Sequence, residues 1–401
     1  MSISDTAPTA GRAATPAPAA RRFLDEHDPP TPCLVVDVDT VVDRYRALAA
    51  AFPDTRVQYA VKANPEPAVL RALAREDAWF DVASPAEIDL CLEAGADGGR
   101  LSYGNTIKKP ADIARAHAAG VREYTCEADG DLDNIAAHAP GAQVSARVLV
   151  EPPDSVTPFG RKFGCVPDRA TALLLRAAEL GLDPVGVSFH VGSQQLDTAA
   201  WDVAVEAAAS VFAGTAAHGL HLRRLNVGGG IGASYRDTAP EPTAYASAIG
   251  EALARHFPDR APELVLEPGR AIVAEAGVIR TEVVLVTRKD PADEHRWVYL
   301  DVGRYNGLAE TEDEAIAYAL EPVGDHDGAS GPVIIAGPTC DGDDVLYQRT
   351  PYRLPESLRA GDRIDILAAG AYTASYSSVA FNGIPPLRTH CIHEGRPTSA
   401  D

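Results

Sequence analysis

From Thr55 to Arg270, short β-branched runs alternate with amphipathic stretches, and no other feature of the chain constrains its fold as tightly. Strands are predicted at Val57–Val61, Trp79–Ala83, Arg100–Tyr103, Arg122–Cys126, Val144–Val150, Val185–Val191, Arg223–Val227 and Glu263–Glu267. Helices are predicted between them at Pro65–Arg75, Pro85–Ala94, Ala111–Ala119, Asp168–Leu180, Ala199–Ala217 and Pro242–His256. Ser84 and Glu87 stand in capping-box spacing at the head of the second. Strands that alternate with helices pair in parallel. The expectation is an α/β chain built on a closed, TIM-like (β/α)8 barrel, a unit of roughly 250 residues.

The rhythm changes after Arg270. Val278–Val286, Trp297–Val302, Pro332–Ala336 and Arg363–Leu367 read as strands without long helices between them, so 271–401 is expected to be a mainly β domain. An early strand, Cys33–Val38, and a helix, Thr40–Ala51, place 23–52 with that domain and leave 53–270 to the barrel. Residues 1–22, rich in Ala, Pro and Thr, read as a disordered tail with neither the basic start nor the apolar centre of a secretory signal. With 57 acidic residues against 36 Lys plus Arg, a net charge of −21 speaks against nucleic acid and anionic membranes and suits a cationic ligand. Six widely spaced cysteines form no CxxC pair, so neither a disulfide framework nor a metal site is expected, and the cytoplasm fits best.

In such a barrel, ligand groups gather at the C-terminal ends of the strands. Lys62 follows the first predicted strand, Asp81 lies in the second and His190 in the sixth. Gly228-Gly229-Gly230 follows the seventh strand and Glu267-Pro268-Gly269-Arg270 closes the eighth. Consecutive glycines let backbone N–H groups approach an anion, and Arg270 adds a charged fork. A partly desolvated Lys62 would lose proton affinity and become nucleophilic. A reactive lysine, a phosphate anchor and a carboxylate for a pyridinium nitrogen, here Glu267, are what pyridoxal phosphate requires. The blander alternative for Glu267 is a salt bridge with Arg270.

Six ordered motifs carry a family resemblance from about Pro32 to Ile392. Tyr59-Ala60-Val61-Lys62-Ala63-Asn64, Phe189-His190-Val191-Gly192-Ser193, Asn226-Val227-Gly228-Gly229-Gly230 and Glu267-Pro268-Gly269-Arg270 resemble the fold-type III pyridoxal-phosphate decarboxylases. Gly337-Pro338-Thr339-Cys340-Asp341 and Gly370-Ala371-Tyr372-Thr373, followed by Phe381-Asn382-Gly383, resemble their ornithine/lysine branch. The resemblance implies that Lys62 holds the cofactor covalently, His190 stacks on its ring and Glu267 pairs with the ring nitrogen. It implies that Gly228–Gly230, Gly269, Arg270, Ser193 and Tyr372 gather at the phosphate, with Asp81 and Glu87 near the lysine. Cys340 would protonate the α-carbon after CO2 leaves, and Asp341 would grip the distal ammonium, both from the second subunit of a homodimer.

The implied activity is decarboxylation of L-ornithine, L-lysine or both to putrescine or cadaverine. Asp313 or Glu314, in the acidic run Glu310–Glu314, is expected to supply a second acid for the distal amine. The competing readings are a diaminopimelate decarboxylase, a decarboxylase of a specialised basic amino acid, a racemase and a non-catalytic regulatory homologue. Phe159-Gly160, before Lys162-Phe163-Gly164, departs from the family pattern of a Leu followed by a small hydroxyl residue, a change that bears on substrate range.

Overall fold

A computed structural model describes residues 17–151 and 162–398. Eight parallel strands close into a barrel: β2 (Arg56–Ala60), β3 (Trp79–Val82), β4 (Leu101–Tyr103), β5 (Glu123–Cys126), β6 (Gln143–Arg147), β7 (Asp183–Ser188), β8 (Arg224–Asn226) and β9 (Glu263–Leu266). Pairing of Arg56 with Val265 and Val57 with Leu266 seals the ring. Within these strands Tyr59, Phe80, Tyr103, Val144 and Leu225 are buried, as strands sandwiched between a core and an outer helical layer must be.

Proline at the first turn opens α1 (Pro18–His27), α3 (Pro67–Arg75), α4 (Pro85–Glu93), α5 (Pro110–Ala118), α7 (Pro167–Glu179) and α9 (Pro242–His256). There the missing N–H costs nothing and φ is already helical. The other helices start without proline. The Asp37 carboxylate caps α2 (Val38–Ala51), accepting from the Asp39 N–H and the Thr40 hydroxyl. The long α8 (Ala200–Ala216) buries Trp201, Val205 and Val211 against the barrel. The Ser84 half of the capping box expected at α4 forms, Ser84 Oγ accepting from the Glu87 N–H, while the Glu87 carboxylate reaches one residue further back and accepts from the Ala83 N–H at 2.6 Å. An unforeseen helix, α6 (Asp129–His138), follows β5. It buries only Leu132 and Ile135, too little apolar periodicity to announce a helix.

The short α10 (Arg270–Val273) leads out of the barrel into the second sheet. Its members are β1 (Cys33–Asp37), β10 (Gly277–Thr287), β11 (Arg296–Leu300), β12 (Leu320–Pro322), β13 (Ser330–Ala336), β14 (Val345–Pro355), β15 (Arg363–Leu367), β16 (Arg388–His393) and β17 (Arg396–Pro397). β1 lies antiparallel to β10 and parallel to β16, wholly buried. α2, by contrast, packs on α3, α9 and α10 in the barrel's outer layer.

The stretch 1–22 expected to be a tail includes the start of a helix, because α1 begins at Pro18. Its Ala20, Phe23 and Leu24 sit in a small apolar cluster with Val35, Val278, Leu367 and Ile392. Arg21 meets Asp365 and Glu321 at 3.1 and 2.7 Å, and Asp25 meets Arg280 at 2.8 Å. Composition hid a helix whose apolar stripe has only three buried members.

Candidate active site

The carboxyl ends of the barrel strands surround a cavity of about 280 Å³ lined by Lys62, Asp81, Arg147, Ser188, His190 and Glu267. Lys62 lies in a single 3-10 turn directly after β2. Since Ala60 and Asp81 are register partners on adjacent strands, the amine reaches the Asp81 carboxylate at 2.9 Å. Gly104 makes room for this contact, because a Cβ there would overlap Asp81 Oδ1.

The expected loss of proton affinity at Lys62 is reversed. Burial works to lower it, but the Asp81 carboxylate, reinforced by Tyr372 and Glu267, outweighs burial and holds the amine above its ordinary pKa. In this pairing Lys62 is a stored ammonium.

Glu267 accepts from Asn226 Nδ2 at 2.6 Å. Burial first, and then repulsion from Asp81, push its carboxyl from 4.5 up to about 7. No ion pair joins Glu267 to Arg270, so the salt-bridge alternative is not what the fold builds. His190 is pushed well below its ordinary value, by burial first and by the neighbouring Arg147 and Lys62 cations. Its Nδ1 accepts the Gly192 N–H at 2.9 Å, which assigns the proton of the neutral ring to Nε2.

Beside this group the glycine triplet forms a cradle. Gly228 and Gly230 adopt φ of 68° and 93°, and a Cβ on Gly229 would stand 2.5 Å from the Glu267 carbonyl oxygen. The Asn226 side chain holds the loop by accepting the Gly228 N–H, whereas the Gly229 and Gly230 N–H groups meet no partner among the described residues. Arg270, 3% exposed, donates to Ser193 Oγ at 3.0 Å and to the Tyr235 hydroxyl at 2.7 Å. It lies over the Tyr372 ring at 4.9 Å. Tyr372 in turn occupies a left-handed conformation, its N–H bonded to the Ala63 carbonyl, and its hydroxyl closes on Gly269.

These groups fit pyridoxal phosphate: the paired lysine stands ready to be released, two loop N–H groups await an anion, and a high-pKa carboxyl suits a ring nitrogen. The buried Ser188 Oγ lines the cavity without a hydrogen-bond partner.

The β-domain residues sit elsewhere. Cys340 is exposed, its N–H bonded to Asn382 Oδ1 at 3.1 Å, and Asp341 accepts the Asp343 N–H at 2.8 Å. Neither lines the lysine cavity of its own chain. Buried Asp344 knits their loop, accepting from the Arg304 and Thr339 N–H groups and the Thr339 hydroxyl. The acidic run divides in an unexpected way. Asp313 has a side chain 93% exposed. Glu314 accepts three backbone N–H groups, from Gln348, Arg349 and Thr350. Those bonds overcome its burial and hold its carboxyl at about 2. Glu310, to which no separate role was given, instead forks onto Arg270 at 2.6 and 2.8 Å.

Sequence reasoning also passed over Arg147 and Asn226. Arg147 was hidden inside a predicted strand; it lines the cavity and lies over the Phe163 ring at 4.8 Å. Asn226 stood in a quoted motif without a role. Phe159-Gly160 lies outside the described residues.

Comparison with known proteins agrees with this geometry. Residues 38–274 match the pyridoxal binding domain of the pyridoxal-dependent decarboxylases. The lysine/ornithine decarboxylase of Selenomonas ruminantium is 35% identical over 372 residues, 92% of each chain. The crystal structure of lysine decarboxylase from the same organism superposes with a TM-score of 0.82 at 33% identity, covering 93% of this chain and 95% of that one. Lysine/ornithine decarboxylase from Vibrio vulnificus, solved with cadaverine, gives 0.81 at 28% identity, covering 93% and 97%. With a lysine poised at the end of the first barrel strand and a glycine cradle facing it, the chain belongs to the pyridoxal-dependent decarboxylases.

Proposed function

We propose that the chain decarboxylates a basic amino acid, L-ornithine, L-lysine or both, to putrescine or cadaverine and CO2, and that it does so as a homodimer. The observation that carries this reading is the single cavity in which Lys62, Asp81, His190 and Glu267 converge beside the Gly228–Gly230 cradle. The relatives' names and the cadaverine-bound neighbour support the substrate class.

Pyridoxal phosphate, when bound, supplies the electron sink that takes up the pair left behind as the α-carboxylate departs. Lys62 would hold it through Nζ, with the Asp81 carboxylate at 2.9 Å placed to take up the proton of that amine. Glu267, held by Asn226, would pair with the cofactor's ring nitrogen, and neutral His190 would sit against that ring without adding charge. The loop N–H groups of Gly229 and Gly230, Ser193 and Arg270 would hold the phosphate. Cys340 of a second copy delivers a proton to the α-carbon, and that copy's Asp341 receives the distal ammonium.

The test is CO2 and amine release from ornithine, lysine, arginine, 2,4-diaminobutyrate and meso-diaminopimelate by the cofactor-loaded protein. Diamine from ornithine or lysine is expected, with Lys62→Ala lowering the rate at least ~10³-fold. Turnover of diaminopimelate alone would overturn the role of Asp341. A bound chromophore with α-hydrogen exchange but no CO2 would indicate a racemase.

A further inference from the structure

Arg270 has five N–H donors, and their allocation is unusual for a residue meant to hold a phosphate. All four Nη hydrogens are directed at protein oxygens: Tyr235 and Glu310 Oε2 from Nη1, Ser193 and Glu310 Oε1 from Nη2. Nε is buried with no partner, so no exposed donor is left over. The Glu310 carboxylate is itself largely enclosed, its side chain 11% exposed. It takes the arginine fork in the bidentate manner that a phosphate would use. It also comes from outside the barrel, on a short 3-10 segment, Ala309–Glu314, between β11 and β12. Thr311, fully buried, anchors that segment by donating to the Leu308 carbonyl at 2.6 Å.

We propose that Glu310 is an internal anion that competes with the cofactor phosphate for Arg270 and so sets how tightly the cofactor is retained. This rests on the reading of the barrel mouth as a pyridoxal-phosphate site. With Glu310 in place, Arg270 presents a neutral pair to an incoming phosphate. The attraction is left to the dipoles of Gly229 and Gly230 and to the hydroxyl of Ser193. Binding therefore requires Glu310 to yield part of the fork, and it places two anions against one guanidinium. Neutralising Glu310 frees the charge of Arg270 for the phosphate while changing few atoms. Because Glu310 belongs to the β domain, cofactor occupancy and the barrel-to-β-domain contact become linked through a single guanidinium.

The full-length protein, stripped of cofactor, is titrated with pyridoxal phosphate and separately with pyridoxal, which lacks the phosphate; the Lys62-dependent absorption band reports binding. Glu310→Gln is expected to bind pyridoxal phosphate about tenfold more tightly than wild type and to bind pyridoxal within about twofold of it. Weaker or unchanged affinity for pyridoxal phosphate would overturn the proposal and make Glu310 a residue that only positions Arg270. An equal change for both compounds would overturn it too, since the effect would not lie at the phosphate. A second measurement needs no chromophore. Inorganic phosphate should raise the melting temperature of Glu310→Gln more than that of wild type. If neither protein forms the Lys62-dependent band, the cofactor reading itself fails, and the phosphate-dependent melting shift still decides the role of Glu310. Glu310→Ala, measured in the same two ways, serves should the Gln variant not fold, with the same outcomes expected.

Discussion

The barrel mouth and the face of the β domain that carries Cys340 are built on opposite plans. At the barrel mouth, Asp81 and Arg270 are enclosed, 4% and 3% exposed, and Lys62, Glu267 and Arg270 each have a fixed hydrogen-bond partner. On the β-domain face Cys340 lies in the open, and Tyr376, Val379 and Phe381 stand uncovered on the segment that also holds its partner Asn382. One region is finished within a single chain, and the other presents chemistry and apolar surface outward. The contrast accords with an active site whose cofactor half comes from one copy and whose proton donor comes from another.

The most severe test of that division mixes two inactive proteins. Lys62→Ala and Cys340→Ala should each lose most activity alone. Unfolded together and refolded, they should regain about a quarter of the wild-type rate, because about half the dimers are mixed and each mixed dimer has one intact site. No recovery would place both residues in one chain's site.

Next in size is Glu267. Its folded-state pKa, raised to about 7 from 4.5, means the native protein keeps a proton that the unfolded chain releases between those values. Glu267 therefore weakens the fold progressively as pH rises from about 4.5 to about 7, and by a constant amount above. The melting-temperature gain of cofactor-free Glu267→Gln over wild type should grow across that window, while its decarboxylation rate falls about 10²-fold.

Smaller effects follow from residues that only shape the mouth. Gly104→Ala should push Asp81 away from Lys62, lower kcat about tenfold, and leave the melting curve nearly unmoved, read by steady-state kinetics beside calorimetry. Ser84→Ala removes the acceptor at the head of α4 and should cost about 1 kcal/mol in a urea unfolding curve, with kcat unchanged.

Much of this was legible from residue order. All eight barrel strands were placed to within a few residues, because β-branched runs bounded by turn residues report burial directly. What escaped was whatever depends on contacts distant in sequence. β14, the unpredicted hairpin partner of β13, carries Gln348, Arg349, Thr350 and Pro351, which read as loop until Glu314 is seen satisfying three of its N–H groups. At the site, the identity of Lys62 was readable but its charge state was not, since Asp81 becomes its neighbour only through the β2–β3 register. The Glu310–Arg270 fork spans 40 residues and two domains, and the acidic run that contains Glu310 gave no sign of which carboxylate turns inward.

β1 carries a consequence for how the chain is made. This wholly buried strand leaves the ribosome well before its neighbours, β10 and β16, which begin at Gly277 and Arg388. The whole barrel-forming stretch between Asp37 and Gly277 must be translated before either edge of β1 can be covered. The barrel lies between these partners in the sequence and is complete at Leu266, so it can close first while Cys33–Asp37 waits as an unpaired apolar edge. Emergence of β16 then covers the second edge of β1.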